Sequence, residues 1–122
     1  MSSNLKILVA EDDDTSAKLI SIILRGFARE IIRVKNGIEA IEASKSNPDV
    51  DLILMDIQMP LMNGDEATLA IREFNQKVII IAQTANVMTD DKAKATSNGF
   101  NDYISKPINK VKIEAFILEY FS

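Results

Sequence analysis

Lys6-Ile7-Leu8-Val9-Ala10-Glu11-Asp12-Asp13 is an apolar run of strand length that stops abruptly on acidic residues. An apolar run without polar alternation describes a strand covered on both faces, and such strands belong to parallel sheets packed between helices. The same arrangement returns at Asp51-Leu52-Ile53-Leu54-Met55-Asp56 and at Lys77 to Gln83, the latter nearly all apolar and β-branched until its end. Shorter strands are expected at Glu30-Ile31-Ile32-Arg33-Val34 and at Asp102 to Ser105.

Helix-period stretches fill the intervals. Thr15 to Phe27 places Leu19, Ile20, Ile23, Leu24 and Phe27 on one helical face. A second helix opens at Asn36-Gly37 and runs to about Ser46, stopped by Pro48. A third covers Asp65 to Phe74 after the Pro60 to Gly64 loop. A fourth, unusually polar, is expected from Asp90 to Asn98 and is closed by Gly99. The last, amphipathic, runs from Asn109 to about Tyr120. Five βα units in 122 residues make one domain, residues 1–122, of the α/β class. Right-handed crossovers favour a doubly wound five-stranded parallel sheet of order 2-1-3-4-5, the flavodoxin-like (βα)5 arrangement.

In such a sheet ligands gather outside the carboxyl ends of the strands. Those positions hold Glu11 and Asp12 after the first strand, Asp56 after the third, Thr84 after the fourth and Lys106 after the fifth. The first and third strands are neighbours in the expected order, so three carboxylates converge. Unscreened, they repel one another, and burial raises the cost of their charge. A hard divalent cation resolves this, and with oxygen ligands alone Mg²⁺ is the natural choice. A phosphoryl group on Asp56 would then find the metal, the Lys106 ammonium and the Thr84 hydroxyl for its three oxygens. Gln58 and Asn86 follow Asp56 and Thr84 at the positions a hydrolytic water would approach, so both are expected to modulate the lifetime of that group. Met55, Met59 and Met62 read as core or loop filler.

Taken together, Ile7-Leu8-Val9-Ala10-Glu11-Asp12-Asp13, Asp56-Ile57-Gln58-Met59-Pro60-Leu61-Met62-Asn63-Gly64, Thr84-Ala85 and Asp102-Tyr103-Ile104-Ser105-Lys106-Pro107 resemble the receiver domains of two-component response regulators, the chemotaxis-regulator type. The likeness spans the whole chain in order and spacing, and is strongest to receivers attached to hybrid sensor histidine kinases. It implies that Asp56 accepts phosphoryl from the phosphohistidine of a histidine kinase or a histidine phosphotransfer domain. It also implies that Asp12 binds Mg²⁺ directly, that the Gln58 backbone carbonyl is a further ligand and that Glu11 reaches the metal through water. Thr84 and Tyr103 would form the switch pair, and Lys106-Pro107 would carry a cis peptide bond. Phosphorylation would then alter the face made by the fourth helix, fifth strand and fifth helix. The first acidic position is Glu11, where many members have Asp.

Composition narrows the alternatives. The absence of Cys and His removes disulfides, thiolate and imidazole metal sites, the Ser-His-Asp triad and a phosphohistidine of its own. A formal charge of −4 speaks against direct nucleic-acid binding. No apolar run approaches the ~20 residues of a membrane span. Met1-Ser2-Ser3-Asn4 does not open a signal peptide, so a cytoplasmic location is expected. Two other readings stand beside the switch. One is a phosphate-independent interaction module. The other is a haloacid-dehalogenase-type phosphatase using Asp12, which leaves Asp56 and the Pro60 to Gly64 loop without a role. The chain is expected to promote its own phosphorylation and slow dephosphorylation, and not to act as an enzyme on other substrates.

Overall fold

A computed structural model of the chain describes residues 4–85 and 98–121. Its elements are β1 (Leu5–Ala10), α1 (Asp14–Leu24), β2 (Ala28–Val34), α2 (Gly37–Ser46), β3 (Leu52–Asp56), α3 (Gly64–Arg72), β4 (Ile79–Thr84), β5 (Asp102–Ser105) and α4 (Lys110–Phe121). The five strands pair in parallel in the order β2-β1-β3-β4-β5, as the sequence predicts. The expected polar helix from Asp90 to Asn98, and Asn86 before it, lie outside the described residues apart from Asn98, which sits in a turn.

The strands' period of two builds two cores, one on each face of the sheet. Leu8, Ala10, Ile53, Met55, Ile80 and Ala82 face one way, onto Ala40 of α2 and Ala67 and Ile71 of α3. Ile7, Val9, Leu52, Leu54, Ile81 and Ile104 face the other, onto Ile20 and Leu24 of α1 and Ile113 and Ile117 of α4. Covering both faces is what lets β1 and β3 be buried at every position.

All four described helices begin on side-chain caps, the last of them on Asn109, which accepts from the Lys112 N–H. Asp13, Asn36 and Asn63 each accept a hydrogen bond from the backbone N–H three residues on, satisfying a donor the helix itself leaves open. Some boundaries differ from the sequence reading. Helix α1 ends at Leu24 because the Phe27 N–H turns back to the Leu24 carbonyl, which frees Ala28 to start β2. Its buried stripe is Ala17, Ile20 and Leu24, and Leu19, expected on that stripe, is 49% exposed. Strand β4 starts at Ile79, later than Lys77, since the Asn75 carboxamide oxygen accepts from the N–H groups of Lys77 and Val78.

Two polar anchors frame the sheet at the end remote from Asp56. Lys6, on buried β1, donates to Asn47 at 2.9 Å and to Asp49 at 3.0 Å. Arg72, at the end of α3, donates to the carbonyls of Gly99 (2.9 Å) and Val78 (2.7 Å) and to the Asn101 side chain (2.8 Å). The Asn101 oxygen in turn accepts from the Ile80 N–H, so Arg72 positions the chain as it enters β5.

Past β3 the chain turns sharply. The Gly64 N–H donates to the Ile57 carbonyl at 2.8 Å, bringing the start of α3 hard against the end of β3. A Cβ on Gly64 would overlap the Asp56 carbonyl oxygen and lie 2.9 Å from Met55 Cγ. Gly64→Ala is therefore expected to lower unfolding free energy by about 1–3 kcal/mol in urea titrations, the range for overpacking. An unchanged midpoint would mean that the Asp56 backbone moves aside freely.

Candidate functional site

The carboxyl ends of β1, β3, β4 and β5 open into one cleft of about 380 Å³. It is lined by Glu11, Asp12, Asp56, Gln58, Thr84 and Lys106, among others. Parallel pairing explains the convergence. Ala10 is in register with Met55 and Asp56 with Gln83, so Glu11, Asp56 and Gln83 follow one another across the sheet. Lys106 is set beside β4 by its N–H bond to the Thr84 carbonyl at 2.8 Å.

Lys106 Nζ lies 2.8 Å from Asp56 Oδ2 and 3.2 Å from Glu11 Oε1. Both carboxylates are buried, Glu11 at 1% exposure and Asp56 at 4%, whereas Asp12 is exposed. The other oxygens are held by backbone: Gln58 N–H donates to Asp56 Oδ1 at 3.2 Å and Asp13 N–H to Glu11 Oε2 at 3.1 Å. Arg33 on β2 donates to the Glu11 carbonyl at 2.8 Å and pairs with Asp14 at 2.9 Å, steadying the acidic turn from outside.

Burial pushes the Glu11 carboxyl above its ordinary pKa, and the nearby Asp56 charge adds to this against the opposing pull of the Asp13 N–H and Lys106. For Lys106 burial acts to lower the pKa. The hydrogen bond and charge of Asp56, followed by those of Glu11, outweigh it and hold the ammonium above its usual value. The lysine is thus charged throughout the neutral range.

Glu11, Asp12 and Asp56 each offer an oxygen, all within 4.8 Å of one another. An all-carboxylate set with two buried members suits a small hard cation. The structure therefore brings together four of the predicted residues, Glu11, Asp12, Asp56 and Lys106, with Thr84 and Gln58 on the walls. The Lys106-Pro107 peptide is cis. Tyr103 does not line the cleft. It is half-buried, paired in register with Ala82 one pleat below Thr84, and packs on the α2–α3 side of the sheet. Asn86 lies outside the described residues. Gln83 lines the cleft fully buried, and the sequence reading passed over it. Its signal was a carboxamide inside an otherwise apolar strand.

Residues 7–118 match the response regulator receiver domain family. The chain belongs to that family. The match covers the whole cleft and sets aside the phosphatase reading centred on Asp12. Among curated relatives, the chain is 45% identical over 114 residues to hybrid signal transduction histidine kinase I of Dictyostelium discoideum, covering 85% of the chain and 6% of that protein. It is 31% identical over 120 residues to the sensor histidine kinase GacS of Pseudomonas protegens, covering 94% of the chain and 13% of the relative. The chain thus spans a small part of the curated relatives it matches.

Solved receiver domains superpose closely. That of Saccharomyces cerevisiae Ssk1, in complex with the histidine phosphotransfer signalling protein Ypd1, matches with a TM-score of 0.89 and 30% identity over 98% of this chain and 90% of that one. The receiver domain of the Pseudomonas aeruginosa sensor histidine kinase PA1611, with magnesium coordinated in its active-site cleft, matches with a TM-score of 0.85 and 30% identity over 96% and 97% of the two chains.

The charge balance of the receiver cleft yields a pH test. A raised Lys106 pKa means that its contribution is complete below the ordinary lysine value of about 10.4 and is lost as pH rises through the higher folded value. A raised Glu11 pKa works in the same sense: its contribution is present below the ordinary carboxyl value and is lost as pH rises, so ionised Glu11 needs a cation at neutral pH. Without Mg²⁺, Lys106→Ala is expected to cost about 3 kcal/mol of unfolding free energy near pH 8, the low end for leaving buried carboxylates unpaired because the lysine itself is partly exposed. The deficit should shrink when the measurement is repeated at mildly acidic pH, because burial lets Glu11 take a proton sooner than an ordinary carboxyl does as pH falls. An equal deficit at both pH values would show that Lys106 acts through packing alone.

Proposed function

We propose that this receiver domain is a phosphorylation switch that takes a phosphoryl group onto Asp56 from the phosphohistidine of a histidine kinase or histidine phosphotransfer domain. The observation that carries this reading is the Lys106 ammonium 2.8 Å from Asp56 Oδ2, inside a cleft whose other charged walls are carboxylates. An Asp56 oxygen attacks phosphorus in line, forming the O–P bond while the P–N bond breaks. The electron pair stays on the departing imidazole nitrogen, which takes a proton from solvent. Lys106 neutralises charge on the phosphoryl oxygens during transfer. The Gln58 N–H holds Asp56 Oδ1, so the carboxylate is oriented before the donor arrives.

Bound Mg²⁺ would supply a further positive charge for the phosphoryl oxygens. Asp12, Asp56 and the Gln58 carbonyl would hold it, with Glu11 contributing through water. The contacts of Glu11 support a divided role for it, since both its oxygens already accept protein donors, Lys106 and the Asp13 N–H. The family's frequent Asp at this position has a shorter arm; Glu11 uses its extra length to brace the lysine.

The readout follows from Thr84 and Tyr103. Thr84 ends β4 beside Lys106, and its hydroxyl turns toward the phosphoryl group. The Tyr103 ring, one pleat away on the same side of the sheet, then has room to pack inward, changing the surface made by β5, the chain before it and α4. The likeness to receivers of hybrid kinases and to the receiver of Ssk1 supports a place in a phosphorelay. Gln58 and Asn86 would tune how long the phosphoryl group persists. The chemistry is confined to the domain's own acyl phosphate.

Incubation with acetyl phosphate and Mg²⁺ is expected to add the mass of one phosphoryl group to the wild type. The gain should vanish in EDTA and in Asp56→Asn, as read by intact mass spectrometry. Labelling that survives in Asp56→Asn would place the acceptor elsewhere.

A further inference from the structure

Gln83 stands out within the site. It is 0% exposed, and neither its carboxamide oxygen nor its nitrogen has a hydrogen-bond partner among the described residues. Leaving a buried carboxamide unpaired costs stability, and an apolar side chain of similar length would avoid that cost. The cost falls beside the phosphoacceptor. Val9, Leu54 and Ile81 share one face of the sheet, so Glu11, Asp56 and Gln83 occupy the next rung of the same face. Gln83 is therefore the lateral neighbour of Asp56.

The path of Lys106 supplies the second observation. Lys106 leaves the end of β5, and β4 lies between β5 and β3. To reach Asp56, its side chain must cross β4 at Gln83, the β4 residue in register with Asp56. Both residues line the acceptor cleft and also a smaller adjoining groove walled by Leu19, Ile20, Pro107 and Ile108. The ammonium has three N–H donors, of which one is directed to Asp56 Oδ2 and one to Glu11 Oε1.

We propose that Gln83 is a positioning residue for Lys106, its carboxamide oxygen taking the third N–H of the ammonium through one water. This inference rests on Asp56 being the acceptor. When Asp56 becomes an acyl phosphate, its carboxyl group loses the full charge that held Lys106. A neutral dipole at position 83 keeps the ammonium over the cleft and leaves it free to engage the phosphoryl oxygens. A carboxylate there would compete with the phosphoryl group for Lys106, and an apolar side chain would offer no acceptor.

The test compares wild type with Gln83→Met, which preserves length and burial, and with Gln83→Leu as a second apolar variant. Acetyl phosphate is the donor, and thermal unfolding and Mg²⁺ affinity are measured on the same samples. Both variants should have an unchanged or higher Tm, because the buried amide nitrogen that has no partner is removed. Their maximal phosphorylation rate should fall about tenfold, the loss expected for one hydrogen bond to a charged group. The half-saturating acetyl phosphate concentration and the Mg²⁺ Kd should stay unchanged. A raised Tm with wild-type rates would overturn the proposal and leave Gln83 as a burial defect. A lowered Tm with wild-type rates would overturn it in favour of a packing role. Wild type labelled equally in Asp56→Asn would instead sink the acceptor assignment and this inference with it.

Discussion

Two carboxylates buried side by side call for a cation between them, and the upper edge of this domain is organised around that constraint. Glu11 and Asp56 are brought side by side by the parallel register of β1 and β3, which the apolar core dictates. Their repulsion is absorbed by Lys106, carried across from the far side of β4. Backbone N–H groups of Asp13 and Gln58 hold the oxygens that the lysine leaves. The cluster is thus poised: its positive charge is satisfied, but only by groups that a phosphoryl oxygen can replace.

That poise links chemistry to shape. Adding a phosphoryl group redistributes the charge on which Lys106 depends, and Lys106 is tied through its own N–H to the Thr84 carbonyl. A change in the cleft therefore bears on the β4–β5 edge without a long relay. On the other side, the loop after Asp56 is docked by the Gly37 N–H bond to the Met62 carbonyl at 3.0 Å. A Cβ on Gly37 would lie 2.6 Å from that same oxygen, so the close approach needs glycine. The acceptor loop is consequently braced against α2, and the β4–β5 side is left as the direction of response.

The fold could be read almost entirely from the strands, because β1 and β3 are apolar at nearly every position and only a doubly covered parallel sheet buries both faces. Glu11, Asp12, Asp56 and Lys106 were legible for the same reason: each sits at or just beyond the end of a strand that the apolar run marks. Errors gathered where local hydrogen bonds decide the outcome. Asn75 takes the N–H groups of Lys77 and Val78 and so delays β4, although both residues look like strand. Leu19 fits an apolar stripe by spacing, but α1 turns Ala17, Ile20 and Leu24 inward. Gln83 escaped notice because its meaning depends on what lies beside it across the sheet, and a single strand's sequence does not record its lateral neighbours.

Ile, Leu and Val are nearly interchangeable along these strands, so the hydrophobic effect alone would tolerate β1 displaced by one full pleat repeat. The buried ends of β1 remove that freedom. Lys6 is anchored to Asn47 and Asp49 at one end, and Glu11 is engaged by Lys106 at the other. A shift of one repeat would draw one of these charges into the apolar layer and strand its partners. Strand β1 thus carries its own ruler, with a cation marking one end and an anion the other, and the spacing of the acidic cleft is measured from it.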